Sequence, residues 1–147
     1  MKIVICASTI FSDKIIEVAN QLEKVGHIVF IPYLTNMIKE GKLNFDQLKK
    51  DKETKGDWAY RKGLATEVNM IKRYYNLIKE CDCVLVLNYD KKEIKNYIGG
   101  SVLMEIGFAH VLNKKIFLYN NVPVMSYTDE ILDTKPIVIN GDLSKIE

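Results

Sequence analysis

The chain has few of the residues that carry metals, disulfides or catalytic protons. Its 147 residues include three cysteines, two histidines, three prolines and one tryptophan. Three cysteines cannot all pair within one chain, and Cys6, Cys81 and Cys83 lie inside or beside apolar runs. Free, buried thiols in a reducing compartment are the expectation. Cys81-x-Cys83 lacks the spacing of a metal knuckle, and only His27 and His110 remain to complete one, so no metal site is expected. No apolar run approaches membrane-spanning length, and Met1–Phe11 is too short for a secretory core without a small-residue cleavage pattern. A cytoplasmic protein follows by elimination. Charge of one sign is also scarce: the formal net charge is +2, with signs mixed along the chain. Neither nucleic acid nor a membrane surface is therefore an expected partner. Three signatures are missing as well: a G-x-G-x-x-G turn after the first strand, a G-x-x-x-x-G-K-[ST] loop, and a nucleophile elbow with a histidine partner. No cofactor is expected. His27 opens a strand, and His110, on an apolar helix, reads as a satisfied core residue.

What is present is an ordinary core-forming balance, 48% apolar and 27% charged residues. At this length one domain over residues 1–147 is the default. Lys2–Cys6 is a β-branched run ending in Ala7-Ser8-Thr9 and reads as a buried first strand. Asp13–Val25 carries apolar residues at helical spacing and ends at Gly26. His27–Ile31 is a second strand, stopped by Pro32. Asn36–Asp57 is lysine-rich, with few large apolar residues. It reads as a surface excursion with short helical pieces, either a lid over a site or, as surface loops usually are, a solvated insertion. Leu64–Glu80 is helical, with Val68, Ile71, Tyr75 and Ile78 on one face. Cys83–Leu87 is the strongest strand, followed by polar Asn88-Tyr89-Asp90 and a charged loop to Tyr97. Ser101–Leu112 is a nearly all-apolar helix and should be heavily covered. Lys115–Leu118 is a fourth strand, Met125–Leu132 a short helix and Pro136–Ile139 a fifth strand.

Strands alternating with helices predict an α/β, flavodoxin-like, doubly wound parallel five-stranded sheet of order 2-1-3-4-5. Such sheets bind ligands beyond the carboxyl ends of their strands, near the point where the order reverses. That rim would hold Ser8, Asn88 and the loop entering the Ser101 helix. Gly99-Gly100 before a helix lets backbone N–H groups approach an anion, although a plain tight turn has the same residues. Glu105 is harder to explain as scaffold. It lies angularly between Ala109 and Leu112 on an apolar stretch, where a carboxylate is costly unless paired or used. A capping box needs three-residue spacing and Ser101 is four residues away. Interaction with the helix dipole remains an alternative to a functional role.

These residues resemble a known family. Gly100-Ser101-x-x-x-Glu105-x-Gly107-x-Ala109, followed by Lys114-Lys115-Ile116, resembles the C-terminal motif of the nucleoside 2-deoxyribosyltransferase superfamily, which includes deoxynucleotide N-glycosidase-like proteins. The likeness extends to Ile5-Cys6-Ala7-Ser8, to Leu22-x-x-x-Gly26-His27-x-Val29-x-x-Pro32 and to Ile78-x-x-x-Asp82-x-Val84. The resemblance implies that Glu105 is a nucleophile attacking the anomeric carbon of a nucleoside or nucleotide, with a second base or water releasing the sugar. It implies that Ser8, Gly99, Gly100 and Ser101 hold sugar or phosphate, that Asn88 faces sugar or base, and that Phe11 stacks on the base. The chain departs from the family pattern at Tyr74 and Gly99, where aspartates are usual, and residues 2–7 hold no tyrosine. Asp90 and Tyr97 are the candidate replacements for the missing acid. The expected partner is a small-molecule nucleoside or nucleotide. The apolar helix together with the resemblance predicts a homo-oligomer, most simply a dimer. Loss of the usual acids also fits a non-catalytic nucleotide-binding or sensing domain. Flavin electron transfer fits the sheet order but has little support from residues.

Overall fold

In the computed structural model, which describes residues 1–56 and 68–147, five short strands pair in parallel. They are β1 (Lys2–Cys6), β2 (Ile28–Phe30), β3 (Cys83–Val86), β4 (Lys115–Leu118) and β5 (Ile137–Val138), in the order β2-β1-β3-β4-β5. This is the doubly wound, flavodoxin-like α/β order that the strand and helix alternation predicts. In the centre, Val4 pairs with Val84 and Cys6 with Val86 on one side, and Val84 pairs with Ile116 on the other.

Period-two alternation splits the strand residues between two cores. Ile3, Ile5, Cys83, Leu85 and Phe117 point to α1 (Ser12–Lys24), meeting its Ile15, Val18, Ala19 and Leu22. Val4, Cys6, Val84, Val86, Ile116 and Leu118 point to the other face. They meet Tyr74 and Ile78 of one helix and Val102, Ile106 and Ala109 of another. Two helices, α2 (Tyr33–Lys39) and α3 (Phe45–Lys55), follow β2. The helices on the second face are α4 (Met70–Glu80), α5 (Gly100–Val111) and the short α6 (Thr128–Asp133).

The segment read as a surface excursion is more ordered than its composition suggests. Asn44 caps α3 by accepting from the backbone N–H of Gln47 at 2.9 Å. Leu48 is fully buried, as are the Ser12 and Thr35 hydroxyls, which share a hydrogen bond of 2.8 Å. One buried leucine in each helix, Leu34 and Leu48, and one serine–threonine pair seat α2 and α3 against the start of α1, and Leu48 does not stand out in a lysine-rich stretch. Of the predicted Leu64–Glu80 helix, residues 64–67 lie outside the described residues, Val68 and the N-cap Asn69 precede the helix, and α4 begins at Met70; its buried side chains are Tyr74 and Ile78, while Ile71 and Tyr75 of the predicted face are exposed. Two expectations for α5 need correcting. His110 is exposed in the last turn rather than buried, and Met104 and Val111 face outward. A helix apolar all round still turns one side away from a single sheet. No helix among the described residues is long and apolar enough to cross a membrane.

Candidate functional site

A pocket of about 420 Å³ opens at the carboxyl edge of the sheet, above β1 and β2 and beside the start of α5. Its wall brings together Ser8, Tyr97, Gly99, Gly100, Ser101 and Glu105. Two chain segments far apart in sequence, the end of β1 and residues 97–105, thus meet where the strand order reverses.

Each segment has a local reason for its path. β1 ends at Cys6, and a single turn of 3-10 helix, Thr9–Phe11, carries the chain from Ser8 into α1. After β3 the chain makes a tight loop. Lys91 and Ile94 exchange two backbone hydrogen bonds of 3.0 Å, and the Tyr97 N–H donates to the Tyr89 carbonyl at 3.0 Å. Lys92, Glu93 and Asn96 adopt positive φ, a conformation these bonds must hold. Gly99 is the N-cap of α5. A Cβ there would lie 3.3 Å from the Tyr97 ring, so glycine lets the ring rest against the backbone. Tyr127 donates a short hydrogen bond to the Ile98 carbonyl and fixes the loop from below.

The charged and polar groups on the wall are unevenly distributed. Glu105 is half-buried on the second turn of α5. It contacts the fully buried Cys6 thiol through a hydrogen bond; burial first, and then this carboxylate, push that thiol well above its ordinary range. Lys91 reaches across the rim, its Nζ donating to Ser8 Oγ at 3.0 Å and lying 5.5 Å from the Tyr97 ring centre. Lys52 of α3 is a second ammonium on the wall. Among the described lining residues Glu105 is the only carboxylate, while Tyr33, Tyr74 and Tyr97 supply aromatic surface and hydroxyls. The start of α5 adds the positive end of its dipole beside Gly100 and Ser101.

Three of the predicted site residues do not join this pocket. Asn88 is fully buried. Its Nδ2 donates to the carbonyls of Asn120 (3.3 Å) and Asn121 (2.9 Å), and its Oδ1 accepts from the Asn120 N–H at 2.9 Å. It splices the end of β3 to the end of β4 and has no group left for a ligand. Phe11 packs edge-on against Tyr89 at 5.3 Å, on the α1 side of the sheet. Asp90 accepts from the Asn96 N–H at 2.9 Å, stabilising its own loop, and lines a separate polar hollow with Lys14, Tyr89, Asn96 and Asn120.

Sequence reasoning missed several wall residues. Tyr33 had a signal, since it follows β2 at the same carboxyl edge as Ser8. Tyr74 is nine-tenths buried and on the wall, where the family resemblance has an aspartate. Lys91 lies in a charged loop and Lys52 among several similar lysines, and nothing in the local pattern marks either. Among the described residues no group of histidine, cysteine, aspartate and glutamate could hold a metal ion.

The chain matches no protein-family model and no curated protein. Among solved structures it is similar to the CMP N-glycosidase BcmB of Clostridium botulinum, at 21% identity over 94% of this chain and 85% of that one, with a TM-score of 0.48. A likeness of that size concerns the path of the backbone and does not reach the side chains of the site.

Proposed function

We propose that this pocket takes a nucleoside or nucleotide and that the protein cleaves or transfers its N-glycosidic bond, with Glu105 as the nucleophile. One observation carries the reading: a half-buried carboxylate stands on the wall of a ligand-sized pocket, beside a helix start. The lysines and the α5 N-terminus favour an anionic substrate, so a 5′-monophosphate is preferred to the free nucleoside. Lys91, Ser8, Gly100 and Ser101 hold the phosphate or sugar hydroxyls. The base lies among Tyr33, Met70, Ile71 and Phe108.

In the first step a Glu105 oxygen bonds to the anomeric carbon. The C–N bond breaks, and its electron pair leaves on the base nitrogen, which takes the Tyr97 hydroxyl proton. In the second, water attacks the same carbon, gives its proton back to Tyr97, and frees the Glu105 carboxylate. A second base can replace water, returning its N–H proton in the same way. Tyr97 is preferred to Asp90 as the acid because it lines the pocket and Asp90 does not.

The test is incubation with a panel of nucleosides, deoxynucleosides and their 5′-monophosphates, following free base by chromatography. Base release from a monophosphate, lost in Glu105→Ala, is the expected result. The lone carboxylate on the described wall favours a second reading, nucleotide binding without turnover, because a retaining pair normally has two. Tight nucleotide binding with no base released from any panel member would establish that reading instead. Buried free thiols suit the cytoplasm. The outward apolar residues of α4 and α5 suit a two-fold dimer.

A further inference from the structure

We propose that the Cys6 thiol is a positioning residue, the hydrogen-bond donor that fixes the Glu105 carboxylate in the orientation from which it attacks. Its place in the reaction rests on the nucleophile reading above; its contact with Glu105 does not. Cys6 is the last residue of β1, on the face of the sheet that packs against α5. It shares that core with Val102, Ile106 and Ala109, the residues that flank Glu105 on the helix. Ala7 and Ser8, immediately after it, line the pocket together with Glu105. The thiol therefore lies under the pocket floor with no exposed surface, and its hydrogen bond is to the Glu105 carboxylate.

A thiol is a weak donor in water, but here its alternatives are few. Its raised affinity for its proton keeps it neutral throughout the range in which a carboxylate titrates. It is therefore a donor that never becomes a competing anion beneath the nucleophile. Of the β1 side chains that face this core, Val4 and Cys6, only Cys6 can donate a hydrogen bond. A donor to the charged form favours that form, so the thiol should also hold the Glu105 pKa down. The other titratable groups on the described wall, Tyr33, Lys52, Tyr74, Lys91 and Tyr97, are unchanged by substitutions at Cys6. Cys81, whose negative form would act on Cys6 through space, is likewise untouched.

The experiment titrates the Glu105 side-chain carboxyl by carbon NMR in the full chain labelled at glutamate, with Glu105→Gln assigning the signal. Three variants are compared: Cys6→Ala, Cys6→Val, which keeps volume without a donor, and Cys6→Ser, which keeps a donor. Thermal melts select folded proteins. The expected result is an upward shift of the Glu105 midpoint in the donor-less variants and its return in Cys6→Ser. In turnover, the donor-less variants should lose about tenfold in kcat with little change in KM, and Cys6→Ser should recover it. A Glu105 midpoint unmoved in the donor-less variants would overturn the proposal. So would a shift that Cys6→Ser fails to reverse, because volume or burial would then be the cause. A parent protein that releases no base would count against the nucleophile reading, and the titration would still decide whether Cys6 donates to Glu105.

Discussion

Glu105 and Asn88 are polar side chains placed alike by the sequence, one early in a helix and one just past a strand, and the structure gives them different surroundings, a pocket wall for one and a closed set of backbone partners for the other. Asn88 satisfies three backbone groups of the β4 end. Asn88→Ala would strand them, and it should cost about 1–3 kcal/mol in urea unfolding while leaving any ligand affinity little changed. Glu105 shows the reverse balance. Removing a half-buried carboxylate from a largely apolar helix relieves desolvation, and alanine is the better helix former. Glu105→Ala should therefore unfold within about 1 kcal/mol of the parent, yet lose base release by about a thousandfold or more. A large loss of stability with unchanged turnover would make Glu105 scaffolding. Residue identity alone separated these two cases only partly. The apolar surroundings of Glu105 are visible in the spacing of α5. The bonds of Asn88 run to residues 120 and 121, a non-local pairing that no local pattern encodes.

At the scale of elements, what was legible followed from periodicity. β1, β3 and β4 are continuous apolar runs because both their faces are covered, and α1 carries an amphipathic stripe because only one of its faces is. Their order fixes the rim of the sheet, so the placing of Ser8 and the α5 start on one pocket wall is legible in the sequence. The loop between β3 and α5 was opaque, since its path depends on three non-glycine residues at positive φ held by backbone bonds. The contribution of α3 was equally hidden: Leu48 alone anchors a helix whose Lys52 reaches the pocket. The central strands also make a pH prediction. Burial pushes Cys83 up to about 12 from 9.0, and it raises Cys6 and Cys81 as well. A thiol whose folded pKa lies above its unfolded value stabilises the fold fully below the unfolded value. That contribution is lost as pH rises through the folded one. The thiols thus leave the urea midpoint unaffected below pH 9 and should make it decline between 9.0 and about 12, the span set by Cys83. Cys83→Ala should make the decline shallower, and an identical slope would remove the thiol from the explanation.

For the whole molecule, the question left by the fold is what covers the outer side of α4 and α5. Met104 and Val111 are 44% and 71% exposed and lie seven residues apart, on one face of α5. Phe108 stands between them and meets Tyr75 of α4 edge-on at 5.6 Å, and Ile71 precedes Tyr75 by one turn. These side chains form one apolar stripe across two helices, continuous with the mouth of the pocket, which Ile71, Met104 and Phe108 also line. A stripe that continues into a functional site marks a contact surface more often than scattered exposed residues do. A two-fold arrangement would let the same stripe cover itself and narrow both mouths. Light scattering on the 16.9 kDa chain should therefore give about twice the monomer mass at micromolar concentration. Tyr75→Lys combined with Val111→Lys puts like charges on both sides of that contact and touches no residue of the pocket wall. The double variant should run as a monomer and keep its far-UV spectrum. If the pocket mouth is completed by the second copy, it should also bind nucleotide more weakly than the parent. A parent that scatters as a monomer across the concentration range would leave the stripe exposed in solution and end the dimer proposal.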